Sequence, residues 1–285
     1  MKKFLLWFLA FLATIFILVY QRMTGPTYPM SGKITMAETE VSFKLPRSHV
    51  VTSDCEVSVS VLHSEIHGTL IYKRFKTQDV LTEQPMQRRE ETLVGYLPKQ
   101  PAAGKLEYRV ILSNQQEKVS LAGDTPVVIR FKGEVPTFII ILHILVIFLA
   151  LLFSMRTGLE ALSPKNNPRK LAVWTTALLF LGGMILGPVM QKYAFGAFWT
   201  GFPFGIDLTD NKTLIAMIGW IIALIAGRKG KAARGWVIAA SILTFVIFLV
   251  PHSLLGSELD YSKMENVNSS ITTQVTDFMG TGYFF

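Results

Sequence analysis

Five long apolar runs alternate with polar segments along this chain. They cover residues 4–20, 138–153, 171–189, 214–226 and 236–250, and none of them contains Asp, Glu, Lys or Arg. Crossing a hydrocarbon core takes about 20 mostly apolar residues, with roughly 17 as the lower limit. The first and third runs reach that limit alone, and the others reach it with their flanks. The pattern therefore predicts five transmembrane helices.

A different pattern occupies residues 26–134. Apolar and polar residues alternate over 55–61 and again over 106–112. This period of two is typical of strands with one buried face, and turn-forming clusters such as 98–104 separate about seven such segments. The region is therefore predicted to be an antiparallel β-sandwich of the immunoglobulin or fibronectin-III type, with Tyr108 as a candidate tyrosine corner. Many unrelated functions, most of them binding functions, use such sandwiches.

The two patterns divide the chain into four predicted regions. These are an N-terminal transmembrane anchor (1–25), an external β-sandwich (26–134), a four-helix transmembrane domain (135–252) and an external tail (253–285). The first apolar run is longer than the 7–15 residues usual in a signal peptide, and no small-x-small cleavage site follows it. An uncleaved anchor is therefore favoured over a cleaved signal peptide.

The distribution of positive charge predicts the orientation of the helices. The formal net charge is +8, and ten Lys and Arg against one Glu lie in residues 1–3, 154–170 and 227–235. Short loops with an excess of Lys and Arg stay cytoplasmic. The β-domain is therefore expected on the periplasmic or extracellular side of a bacterial cytoplasmic (inner) membrane, with lipid around the helices. Because topology explains the excess charge, nucleic-acid binding is not indicated.

Two patterns in the β-region bear on chemistry. Cys55 is the only cysteine and shares the inward parity of its strand neighbours, so we expect a buried core residue rather than a reactive thiol. His63, Glu65 and His67 alternate, and an extended chain would place these potential zinc or copper ligands on one face. The alternative is a solvated hairpin end, which Gly68 favours because a charge would otherwise be buried.

The third apolar run contains a small-residue step. Gly183 and Gly187 have the spacing that lets another helix approach closely, with Gly182 beside them and Pro188 closing the run. Packing within the chain is favoured over a dimer seam.

The predicted external loop 190–212 is rich in aromatic residues and glycine. Its candidate binding residues are Trp199, Phe202, Phe204, Asp207 and Asp210. Aromatic side chains at this level commonly form an interfacial belt, and Asp210 or Asn211 is a candidate N-cap of the next helix. The composition also indicates a compact loop that suits docking on the sandwich, a partner subunit, or a flat ligand such as a quinone or haem.

Two histidines belong to the outer half of the predicted bilayer. His143 lies about seven residues in from the external end of its predicted helix, hence roughly 10 Å deep, and an ionisable residue there is a functional candidate. His252 follows the fifth run near the interface. Both have a plain interpretation as packing or interfacial residues. Their difference in depth argues against a shared haem, since each nitrogen must lie about 2 Å from the metal.

These observations leave two functional hypotheses. No familiar hydrolase or dehydrogenase motif occurs, and the helices lack the charged residues that ion-coupled carriers need. The leading hypothesis is a non-enzymatic multi-pass membrane protein whose sandwich and aromatic loop bind or help assemble a partner membrane complex. The alternative is a redox-associated membrane subunit that binds haem, quinone or metal at the outer face.

Overall fold

The computed structural model describes residues 2–227, 233–252, 254 and 256–263, and it divides into two compact units. The helical unit comprises Met1–Tyr28 and Gly133–Ser257, and the β-unit comprises Pro29–Lys132 with the described part of Glu258–Phe285. The chain thus combines long apolar helices with a β-sheet region. Residues 264–285 of the predicted tail lie outside the described residues.

Alternating side chains build the strands of the β-unit. The strands are β1 (Met30–Met36), β2 (Thr39–Leu45), β3 (Ser48–Val50), β4 (Cys55–Ser60), β5 (His67–Arg74), β6 (Thr82–Pro85), β7 (Gln87–Arg89), β8 (Thr92–Leu97), β9 (Lys105–Ser113), β10 (Lys118–Ser120) and β11 (Val127–Lys132). In β4, Cys55, Val57 and Val59 are buried and the residues between them are exposed, as the period of two predicts. The short strands β3, β6 and β7 have no such alternation, so the sequence pattern did not predict them.

Two sheets enclose one core. The first has the order β1-β2-β4-β8-β7, and the second has the order β3-β11-β9-β5-β6 with β10 on β9. Apolar residues from both sheets, including Val57, Leu97 and Val110, belong to one buried cluster. One expectation fails, because β3 pairs in parallel with β11 and the second sheet is therefore mixed.

Tyr108 is not a tyrosine corner. Its hydroxyl donates to the carbonyl of Pro46 at 2.8 Å, 62 residues away. In a tyrosine corner the acceptor lies only a few residues upstream. The bond instead ties β9 to the segment between β2 and β3.

Six α-helices form the helical unit. They are α1 (Lys2–Thr24), α2 (Thr137–Ala161), α3 (Arg169–Leu179), α4 (Gly187–Phe195), α5 (Leu208–Ala226) and α6 (Ala233–Leu249). A π-helical segment, Phe180–Leu186, joins α3 to α4. By length and composition, four helical stretches within the described residues suit a membrane span: α1, α2, α3 through α4, and α5. The apolar part of α6 is shorter.

Helix α2 and the helical segment that follows α3 extend beyond the predicted apolar runs. Helix α2 continues to Ala161, because Arg156 and Glu160 pair across one turn, with 2.5 Å between Nη1 and Oε2. Trp7 of α1 packs over the Arg156 guanidinium, 5.4 Å from the ring centroid, so this charge lies within the helical unit rather than in a loop. Pro188 does not end the third run, because it stands in the first turn of α4, where proline is tolerated.

The start of the predicted external tail packs on the β-unit. Tyr261 is buried, and its hydroxyl lies 3.0 Å from both the backbone nitrogen and the carbonyl of Lys105. Glu258 contacts Lys105 and Lys76 at 2.6 and 3.0 Å. Although partial burial opposes it, hydrogen bonding to these lysines lowers the pKa of Glu258. We name Glu258 to Lys263 the C-terminal strap.

Candidate functional site

The aromatic loop is shorter and more ordered than its sequence range suggests. Helix α4 ends at Phe195 with Gly196 in the left-handed conformation, and α5 begins at Leu208, so the loop comprises residues 196–207. The backbone nitrogens of Phe204 and Gly205 both donate to the carbonyl of Gly201, which forms a tight turn. Trp199 closes the turn, since its Nε1 donates to the carbonyl of Phe202 at 3.0 Å.

Three apolar side chains project from this turn. Phe202, Phe204 and Ile206 are 70, 82 and 81% exposed in the protein. We name these three residues the loop tip. Each is far more exposed than an apolar side chain in a protein core.

Asp207 connects the loop to α5 and to the segment after α6. Its Oδ1 accepts the backbone N–H of Thr209 at 2.9 Å, which makes Asp207 the N-cap of α5. The prediction that Asp210 or Asn211 is the N-cap was therefore wrong. The second oxygen, Oδ2, accepts the backbone N–H of Ser257 at 2.8 Å and its hydroxyl at 3.0 Å.

Asp210 holds the loop backbone from one turn further along α5. Its Oδ2 accepts the N–H groups of Thr200 and Gly201 at 2.7 and 3.0 Å, and only 5% of the residue is exposed. Asn211 extends this contact, because its Oδ1 accepts the N–H of Phe202 at 2.7 Å. A Cβ at Gly201 would lie 2.6 Å from the Asp210 Cβ, so this close approach requires glycine.

The Thr200 hydroxyl lies at the centre of these contacts. It is 3.2 Å from Asp207 Oδ2, 3.3 Å from Asp210 Oδ2 and 2.9 Å from Ser257 Oγ. Gln191 of α4 donates to it at 2.5 Å. We name Gln191, Thr200, Asp207, Asp210 and Ser257 the anchor cluster, which joins α4, α5 and the segment after α6 under the loop.

A buried lysine lies next to the anchor cluster. Lys212 is 3% exposed, and its Nζ donates to the carbonyl of Val250 at 2.8 Å and lies 2.9 Å from Nδ1 of His252, within hydrogen-bonding distance. Lys212 therefore stabilises the segment after α6 against the start of α5, and His252 is part of that contact.

His143 lies on α2, against the π-helical segment. Its Cε1 would lie 3.8 Å from a Cβ at Gly187. Gly183 faces α5, where a Cβ would come 2.4 Å from Thr213 Cγ2. The two glycines of the Gly-x-x-x-Gly step thus approach helices of the same chain.

The proposed metal ligands of the β-unit do not converge. His63 Nε2 is 2.6 Å from the Thr39 hydroxyl, and His63 Nδ1 is 3.5 Å from Glu65 Oε1, while His67 begins β5. Within the parts of the chain that the structure describes, no three His, Cys, Asp or Glu side chains are arranged to hold a metal ion. The triplet forms a solvent-exposed turn.

Sequence reasoning singled out Asp207 and Asp210 but missed three of their partners. Gln191, Thr200 and Ser257 carry no distinctive spacing, and Ser257 is 50 residues from Asp207. The sequence did offer a sign that Lys212 is buried, because this lysine stands two residues before an apolar run. It was assigned to the loop, whereas it occupies the second turn of α5.

Comparison with known proteins adds no functional assignment. The chain matches no protein-family model, and no curated protein is a significant match. The functional argument therefore depends on the site. Its polar groups bond to one another and to the loop backbone, and its exposed groups are apolar, an arrangement that suits binding of an apolar surface.

Proposed function

We propose that this chain is a non-enzymatic membrane protein whose aromatic loop and β-domain bind or help assemble a partner membrane complex. The observation that carries the proposal is the loop tip, which exposes three large apolar side chains on a backbone held by buried carboxylates. A preorganised apolar surface loses little conformational entropy on binding, which favours affinity. Aromatic anchors of this kind commonly dominate protein interfaces.

The proposed topology has five spans with the N-terminus in the cytoplasm. Helices α1 and α6 share a buried apolar cluster, and Gln21 Nε2 donates to the carbonyls of Phe248 and Val250 at 2.9 and 3.2 Å. This contact brings the C-terminal ends of the two helices together, so α6 runs in the same direction as α1. At 17 residues, α6 is about 25 Å long, a mismatch with the roughly 30 Å hydrocarbon core that bilayers accommodate.

The C-terminal strap supports the same topology. It lies in the β-unit, so the segment before α2 and the segment after α6 belong on one side of the membrane. An even number of membrane crossings must lie between these two segments. If α2, α3 through α4, and α5 each cross the membrane, then α6 must cross it as well. With the excess of Lys and Arg in the opposite loops, this side is the periplasmic or extracellular one of a bacterial cytoplasmic membrane.

The β-unit fits a binding role in this arrangement. Two sheets around one core, with most neighbouring strands antiparallel, support an immunoglobulin or fibronectin-III-like sandwich. Such domains present loops and sheet edges to partners. The parallel β3–β11 pair is a departure from the common strand arrangement.

Site-specific photo-crosslinking tests the proposal. A photoreactive phenylalanine analogue at Phe202 or Phe204, in intact cells, should give a discrete protein adduct. The matched control is the same analogue at Leu162, an apolar position that is 64% exposed in the turn between α2 and α3. The double substitution Phe202→Ser and Phe204→Ser should abolish co-purification of the partner protein identified by crosslinking. Adducts to lipid alone would contradict partner binding and make the loop an interfacial anchor.

The redox-associated alternative has one observation in its favour. His143 Nδ1 is buried without a hydrogen-bond partner among the described atoms. A head group of a quinone would satisfy that nitrogen. Purified protein that carries a haem absorption band or extractable quinone, lost in His143→Ala, would favour this alternative over partner binding.

A further inference from the structure

A cavity of about 670 Å³ opens in the helical unit, at the end opposite the aromatic loop. The turn between α2 and α3, the start of α3, the end of α5 and the start of α6 surround it. One part of the wall is polar and is formed by Asn166, Asn167, Arg169 and Arg234. The remainder is mainly apolar, and its members include Ala172, Leu224 and Val237.

The polar wall carries positive charge that no carboxylate of the wall balances. Arg234 donates to the carbonyls of Ser163 and Asn166, the latter at 3.0 Å, and carbonyl oxygens leave the guanidinium charge in place. No Asp or Glu is among the lining residues in the described part of the chain. The nearest acidic residue in the α2–α3 sequence, Glu160, is paired with Arg156 at 2.5 Å.

The start of α3 adds to this positive potential. Helix α3 begins at Arg169, whose backbone N–H donates to Asn167 Oδ1 at 3.0 Å. That N–H is therefore already bonded, but the aligned peptide dipoles of the helix still favour an anion near its N-terminus. Because Arg169 itself is exposed on the cavity wall, its side chain can reach a bound group without rearrangement of the backbone.

We propose that this cavity binds the phosphate-bearing head group of an anionic phospholipid. The two arginines would hold the phosphate, and the accessible apolar residues of the wall, Pro164 and Leu224, would contact the glycerol and the first acyl methylenes. The combination of a basic and an apolar wall matches an amphipathic ligand, whereas free phosphate would use only half of the site. Basic pockets between transmembrane helices bind anionic head groups in this way, and the inference does not depend on the proposed partner binding.

Native mass spectrometry of the full-length protein in detergent tests this assignment. Dioleoyl phosphatidylglycerol is the anionic probe, dioleoyl phosphatidylcholine the zwitterionic one, and inorganic phosphate the competitor without an apolar part. We expect retention of phosphatidylglycerol and at least tenfold weaker binding of phosphatidylcholine. Arg169→Gln and Arg234→Gln should each weaken phosphatidylglycerol binding about fivefold.

Lys165→Gln is the matched control, because Lys165 is an exposed cation of the same turn that does not line the cavity. It should leave binding unchanged. Arg169→Gln is the decisive variant, since Arg234 also supports the turn and its loss can disturb folding. Equal effects of Arg169→Gln and Lys165→Gln would overturn the proposal. Equal binding of the two lipids, or full displacement by millimolar phosphate, would also overturn it.

Discussion

Removing the Asp210 carboxylate should open the aromatic loop without unfolding the rest of the protein. In Asp210→Ala, the N–H groups of Thr200 and Gly201 lose their acceptor. Leaving a buried donor unsatisfied costs about 1–3 kcal/mol, so the loop should lose about 2–6 kcal/mol of local stability. A loss of 2 kcal/mol alone raises the open population roughly 30-fold.

Limited digestion with chymotrypsin measures this change, because a protease cuts only extended backbone. When the loop opens and closes faster than it is cut, the cleavage rate is proportional to the fraction of molecules in which the loop is open. Cleavage after Phe204, which is followed by Gly205, should accelerate at least about 30-fold in Asp210→Ala. Asn211→Ala removes a single, exposed hydrogen bond to Phe202. Its net contribution of about 0.5–1.5 kcal/mol predicts acceleration of roughly two- to tenfold.

Cleavage after Leu162, an exposed residue at the end of α2 outside the loop, is the internal control and should stay at the wild-type rate. Wild-type cleavage of the loop in Asp210→Ala would refute the reasoning, since the carboxylate would then have no role in holding the backbone. A parallel increase at Leu162 would also refute it, because the carboxylate would then stabilise the whole unit rather than the loop.

Three further predictions address the rest of the chain. Tyr261→Phe removes the hydroxyl that is bonded to Lys105, so the β-unit of the full-length protein should lose about 1–3 kcal/mol of stability and melt several degrees lower by circular dichroism. Ser262→Ala is the control, because the Ser262 hydroxyl contacts Asp260, and its melting temperature should not change. Burial, and secondarily the Glu56 charge, raises the pKa of the Cys55 thiol to about 11. Maleimide labelling at pH 7 should therefore be at least about a hundredfold slower in the folded than in the denatured protein, and equal rates would contradict a buried thiol. In a Cys55→Ala background, a membrane-impermeant thiol reagent should label the introduced cysteines of Gln116→Cys and Lys263→Cys in spheroplasts. The cysteine of Lys165→Cys should be labelled only after lysis, and its labelling before lysis would overturn the proposed topology.

The sequence alone predicted the helices and most strands, because both depend on local periodicity. Apolar runs free of charge predicted α1, α2 and α5, and alternation predicted the buried face of β4. The N-cap was misassigned since Asp207, Asp210 and Asn211 are equally good capping residues by type. Which of them caps α5 depends on where the helix begins, and the loop contacts of Asp210 decide that.

The tertiary structure decided everything that joins residues far apart in the chain. Ser257 meets Asp207 across 50 positions, Lys212 meets His252 across 40, and Tyr261 meets Lys105 across 156. No periodicity encodes such pairs, because each depends on how helices and strands pack after they have formed. The sequence thus determined which segments are apolar and which loops are basic, whereas packing determined that the aromatic loop is a fixed surface and that the basic turn borders a cavity.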